Sequence, residues 1–194
     1  MLVQLLQKNK FLRDFVYKIG KPRAHDMVSR FEGFLKKSDK ILDFGAGSCH
    51  VYELLTQKGY DLKPIDVQDN SFVEGLHPMI YDGDKIPYGE NYFDSALVLT
   101  VLHHTSNPEA ILKEVMRVSK SVIIMEDIYY SPLQKYVTYF MDSLFNLEFI
   151  GHPHSNMNDT EWKSLFKAMG LELVEVKYHR SFVFFRHAIY YLKK

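Results

Sequence analysis

The ten residues Ile41–His50, I-L-D-F-G-A-G-S-C-H, constrain the fold of this chain more than any other stretch. Ile41, Leu42 and Phe44 read as a short apolar strand with Asp43 near its carboxyl end. Gly45 and Gly47 permit a tight turn in which backbone lacking Cβ atoms can approach a ligand closely. Behind the turn, Val51, Leu54 and Leu55 have the spacing of a helix face that packs on a sheet. Strand, glycine turn and helix form the opening unit of a nucleotide-binding α/β fold, with the ligand outside the carboxyl end of the strand. The dinucleotide fingerprint G-x-G-x-x-G requires a third glycine at position 50, where this chain has His50.

The stretches that follow extend this unit. Gly59 is placed to end the first helix, and Leu62–Val67 reads as the second strand. Its Asp66 falls about twenty residues beyond the glycines, where an acid at a strand end can accept hydrogen bonds from both ribose hydroxyls. A carboxylate suits that task because it offers several acceptor lone pairs and no competing donor. A third short strand lies within His77–Ile86, before the Asp82-Gly83-Asp84 turn. Ser95–Leu102 is a continuous apolar run, as expected of a central parallel strand buried on both faces. It leads into His103-His104-Thr105, then into Asn107-Pro108, an N-cap followed by proline at the first helical position. The helix Glu109–Val118 and a fifth strand, Val122–Met125, complete the series, which ends in Glu126-Asp127.

The arrangement L-D-x-G-x-G resembles motif I of the class I S-adenosylmethionine-dependent methyltransferases, a family in which a further glycine often stands where this chain has Cys49. Asp66 matches the family's motif II acid, and Asp82, Gly83, Pro87, Phe93 and Asp94 match its next conserved-order pattern. The string V-L-H-H-T-S-N-P-E-A-I-L-K-E-V-M-R-V is similar to the small-molecule methyltransferase pattern after the fourth strand. The resemblance is dense over residues 41–126. It implies S-adenosylmethionine as cofactor, lined by Asp43, Gly45, Ala46, Gly47, Asp66, Val67, Asp82, Gly83 and Leu99, with Asp82 accepting the adenine amino group. It also implies a Rossmann-like α/β fold: a seven-stranded, mostly parallel sheet with a C-terminal antiparallel hairpin and helices on both faces. On this reading residues 1–194 are a single methyltransferase domain. Residues 1–40 form a helical cap, 41–126 the cofactor-binding core, and 127–194 the substrate-side helices and hairpin.

The 194 residues, with 46% hydrophobic and 14% aromatic content, suit one packed domain. A single cysteine excludes an intramolecular disulfide framework and fits a reducing compartment. No apolar run of about 18 residues marks a membrane span, and the N-terminal apolar stretch is too short for a secretory signal. A cytoplasmic location is expected. The net charge of zero is unevenly spread: residues 1–40 hold ten Lys or Arg against four Asp or Glu, and the remainder fourteen against twenty. A basic N-terminal helix can make peripheral contact with a membrane or an anionic substrate. Residues 2–18 read as one helix, Gly20-Lys21-Pro22 as its break, and 24–36 as a second helix. His25, Asp26 and Arg30 on the second helix are candidates for lining a substrate site.

Toward the C-terminus, residues 128–146 read as an aromatic helix, Phe149–Asp159 as a polar loop, and Thr160 as the cap of a further helix stopped by Gly170. Leu171–Tyr178 and Phe182–Tyr191 form the final pair of strands. The candidate general bases are His103 and His104 after the fourth strand, and His152 and His154 on the loop expected to close above it. His50, His179 and His187 read as structural, and no metal site is expected. No Asn/Asp-Pro-Pro-Tyr clamp for base amines, no Pro-Cys nucleophile and no RNA-binding module is present. The expected substrate is a small molecule with an apolar part, oxygen slightly favoured over nitrogen as acceptor, with no nucleic-acid partner. Monomer and homodimer both remain open. The alternatives are a non-catalytic cofactor-binding partner or scaffold and, disfavoured by His50, a nicotinamide-dependent oxidoreductase.

Overall fold

A computed structural model describes residues 2–130, 134, 156–181 and 185–194. Strands β1 (Lys40–Phe44), β2 (Asp61–Asp66), β3 (Met79–Ile80), β4 (Ser95–Leu99), β5 (Ser121–Ile128), β6 (Glu172–Ser181) and β7 (Phe185–Lys193) form one sheet in the order β3-β2-β1-β4-β5-β7-β6. The first five run parallel to one another, and β7 runs antiparallel between β5 and β6. The expected mostly parallel sheet with its C-terminal hairpin is therefore present. The strand order turns back between β1 and β4, which opens a crevice at their carboxyl ends.

Both faces of the sheet are covered. Leu42, Phe44, Val98, Val122, Ile124 and Tyr190 pack on one face with Leu112, Val115 and Met116 of α4 (Pro108–Val118) and Trp162 and Phe166 of α5 (Asp159–Ala168). Ile41, Leu97, Ile123, Met125 and Ile189 pack on the other with α2 (Lys10–Phe31) and α3 (His50–Gln57). Every residue of β4 is buried, and that burial explains why the segment shows no polar alternation.

The N-terminal helices break elsewhere than expected. α1 (Leu2–Lys8) ends before Asn9, whose side chain caps α2 by accepting from the Leu12 amide. Gly20 and Pro22 lie inside α2. Tertiary packing decides this: a Cβ on Gly20 would stand 2.6 Å from the His50 ring, so glycine here permits close approach of α2 to α3. The cap of α5 is Asn158, not Thr160; its side chain and that of Glu161 form a reciprocal capping box. The helix expected over 128–146 lies, beyond Tyr130 and apart from Gln134, outside the described residues, as do His152 and His154.

Candidate active site

The turn after β1 is tied to β2. Gly45 and Ala46 both donate backbone N–H bonds to the Ile65 carbonyl, at 2.9 and 3.1 Å. Gly45 has φ +71, and a Cβ there would stand 2.6 Å from the Val101 side chain, so both backbone and packing require glycine. Gly47 has φ +49 and faces no side chain within 4 Å, leaving its backbone open to close approach. Its amide donates to Asp66 Oδ2 at 2.8 Å, while Val67 N–H donates to Oδ1 at 2.7 Å. Gln68 N–H also donates to Oδ1, at 3.3 Å, so Oδ2 is the oxygen that keeps acceptor capacity for a further donor.

Cys49, the fifth residue of the turn, also adopts a left-handed conformation, with φ 61. Its side chain is fully buried, and burial pushes its thiol up to about 12. Buried and held as the thiol, the sulfur lacks the thiolate character and access of a reactive cysteine.

Asp43 lies beneath the same turn, 3% exposed. Its Oδ2 has no hydrogen-bond partner among the described residues. Burial first, and the nearby Asp66 charge second, raise its carboxyl to about 7. Burial favours the neutral form of this acid, and a positive charge placed against it would favour the ionised form.

The opposite wall comes from β3 and the turn after it. Asp82 Oδ1 accepts from the Asp84 and Lys85 amides, and these bonds hold its carboxyl below the usual range. Helix α4 fixes this turn from behind: Glu114 accepts from Ile86 N–H at 2.7 Å, and Arg117 donates to the Ile86 and Tyr88 carbonyls, each at 2.9 Å. Val67 and Ile80, at the ends of β2 and β3, expose about half of their surface, and Val67 lies under Gly83. Leu99 ends β4 and is buried.

Beyond β4 the chain turns sharply at Thr100, φ 56, into a short 3-10 turn, Leu102–His104. Glu126 of β5, fully buried, holds it. Its Oε1 accepts from the Val101 and Leu102 amides at 3.1 and 2.8 Å, and its Oε2 from His103 Nδ1 at 2.5 Å. His103 is 1% exposed, and its ring lies tilted against that of the half-buried His104, ring centroids 4.0 Å apart. The place of Glu126 at a strand end is visible in the sequence, but its partners, at positions 101 to 103, lie more than twenty residues away.

On the other face, Arg30 of α2 donates to His187 Nδ1 at 2.6 Å, and His187 Nε2 lies 2.9 Å from Asp127 Oδ1. Arg30 also pairs with Asp26, while His25 is exposed. His50 is held between Ser48 Oγ and the Tyr17 carbonyl. Among the described residues, no three His, Cys, Asp or Glu are grouped to hold a metal ion.

The crevice between β1 and β4, with a glycine turn on one side and an acid at the end of β2, defines a Rossmann-like fold of the class I methyltransferase kind. Residues 17–176 match the model of a family described as a methyltransferase domain, and the chain belongs to that family. A demethylmenaquinone methyltransferase of Corynebacterium glutamicum is 27% identical over 117 residues, 58% of this chain and 51% of that protein. The chain thus spans about half the length of the curated relatives it matches. A SAM-dependent methyltransferase from Methanosarcina mazei superposes with a TM-score of 0.65 at 20% identity, covering 84% of this chain and 96% of that one. One from Aquifex aeolicus gives 0.63 at 16% identity, covering 94% and 98%. At such identities these two likenesses speak to the fold.

Proposed function

We propose that the protein transfers the methyl group of S-adenosylmethionine to a small-molecule acceptor with an apolar part. The observation that carries this reading is the shared Asp66–Gly47 contact, which sets a ribose-type acceptor against open glycine backbone. The other lining groups fit the same cofactor: an apolar shelf of Val67 and Ile80 beside Asp82 for adenine, and the unpartnered Asp43 Oδ2 for a cationic amine. Bound there, the cofactor supplies a methyl group on a sulfonium, already activated for transfer. The residues of the chain bind, orient and keep water out.

Asp43, Gly45, Ala46, Gly47, Asp66, Val67, Asp82, Gly83 and Leu99 are the cofactor-binding set in this proposal. Glu126 and His103 are positioning residues, because His103 is buried and bonded to Glu126. His104, at the outer end of the same turn, is our choice for drawing a proton from a hydroxyl acceptor, a contribution of roughly 10²–10⁴ in rate. His152 and His154 are proposed for the same role. Oxygen is favoured over nitrogen because the Asn/Asp-Pro-Pro-Tyr clamp is missing after β4. The apolar part of the acceptor is supported by the name of the Corynebacterium relative, whose acceptor is demethylmenaquinone. A cytoplasmic location, and action without nucleic acid as monomer or homodimer, complete the proposal.

The test is calorimetric titration with S-adenosylhomocysteine, NAD as control, followed by radiolabelled methyl transfer to a panel of phenols, quinols and amines. Micromolar binding of S-adenosylhomocysteine alone, with transfer to a phenolic or quinolic acceptor, is the expected result. Tight NAD binding, or binding of neither, overturns the cofactor reading. A second reading, a cofactor-binding partner without transfer, draws on the burial of His103. It predicts S-adenosylhomocysteine binding with no turnover on any acceptor.

A further inference from the structure

Phe11, Phe15 and Ile19 follow one another at four-residue steps on α2, so they share one side of the helix. They are 78%, 55% and 61% exposed, and Leu12 beside them is exposed as well. The body-facing side of the same helix carries the buried Ala24, Met27, Val28 and Phe31. Leu5 of α1 adds a further exposed apolar side chain. Among the described residues, neither core cluster includes these side chains.

Its charges are one-sided. Lys18 stands three residues from Phe15 and seven from Phe11, Arg23 four from Ile19, and Lys8 ends α1. All three are exposed, and none has an ion-pair partner among the described residues. The two acids of α2, Asp14 and Asp26, are each neutralised by a cation four residues away, Lys10 and Arg30. The free charge along the ridge is therefore entirely positive, while residues 41–194 carry the opposite excess.

We infer that this ridge docks the protein on an anionic lipid surface. The phenylalanines would enter the headgroup boundary, and Lys8, Lys18 and Arg23 would lie against the phosphates, their apolar stems adding buried surface. The charge separation along the chain orients α2 toward a negative plane before contact. The helix is also coupled to the glycine turn: Gly20 abuts His50, and Gln7 of α1 donates to the Asp69 and Ser71 carbonyls beyond β2. Docking through α2 therefore holds the cofactor side of the sheet near the lipid. The inference stands on exposure and charge, and holds whatever the acceptor proves to be.

Flotation of the full chain with vesicles tests it. Vesicles of roughly three parts phosphatidylcholine to one part phosphatidylserine should carry the protein, and phosphatidylcholine alone should not. High salt should release it. Phe11→Ser with Phe15→Ser should abolish flotation, and Lys18→Glu with Arg23→Glu should weaken it at least about twentyfold. Circular dichroism and S-adenosylhomocysteine titration check that both variants remain folded; the vesicle and salt comparisons need no variant at all. Equal flotation on neutral vesicles, or flotation indifferent to both variants, overturns the inference. So does a sedimentation dimer that Phe11→Ser with Phe15→Ser converts to monomer, since the ridge would then belong to a second copy.

Discussion

Glu126 accepts from His103 Nδ1 at 2.5 Å and, through its other oxygen, from the two backbone amides that precede it, so one buried carboxylate shapes the turn leaving β4. Glu126→Ala would leave three donors in the interior without an acceptor. Such orphaned groups cost about 1–3 kcal/mol each, so a loss of at least about 2 kcal/mol is expected in urea denaturation. A loss below about 1 kcal/mol would show that the turn is held by other means.

Asp66 serves the glycine turn and, in our proposal, the ribose. Asp66→Ala should weaken S-adenosylhomocysteine binding by one or two charge-assisted hydrogen bonds, about 1.5–3 kcal/mol each. Asp66→Asn, which can still accept from Gly47 N–H through its amide oxygen, should retain the turn but recover only part of the affinity. Unchanged affinity in the alanine variant sinks the ribose assignment.

The raised Asp43 carboxyl has a signed consequence. With a folded value of about 7 against about 3.9 unfolded, the native state holds a proton that the unfolded chain has lost over that interval. Stability from this group therefore falls as pH rises from about 4 to about 7, and levels off above. Asp43→Asn removes the slope, so at pH 8 it should be more stable than the parent, with a ceiling of about 4 kcal/mol, and less so at pH 5. The same variant should bind S-adenosylhomocysteine more weakly. Thermal melts across this range check the sign; a variant destabilised equally at both pH values contradicts it.

Gly20 reverses a usual rule. Glycine to alanine within a helix ordinarily gains about 1 kcal/mol. Here the added Cβ meets a His50 ring that is held at both nitrogens, so the His50–Tyr17 bond must break or α2 must move. Gly20→Ala should destabilise by about 1–3 kcal/mol. A stabilised variant in a chemical melt would mean that α2 rides loosely on α3.

The parts of this fold that were legible from the chain are those set by neighbours in sequence. Gly45 and Gly47, the Asn107-Pro108 helix start and the apolar run of β4 each declare their backbone locally. Gly20 and Pro22 misled because helix-breaking propensity was outweighed by contact with His50, thirty residues on. Asn158 and Thr160 are both good caps, and the reciprocal bond with Glu161 favours the former. The charge state of Asp43 and the reach of Glu126 depend on burial, which no spacing reveals.

The placement of β7 between β5 and β6 has a consequence for biosynthesis. A ribosome delivers β5 well before β7, because more than fifty residues separate Ile128 from Phe185. During that interval the apolar edge of β5 has no strand beside it and offers unpaired amides and carbonyls to any extended chain nearby. Nascent protein is thus most vulnerable to misassociation after the cofactor half of the sheet has been made. A ligand that binds that half early could steady it, but only the arrival of β7 closes the seam.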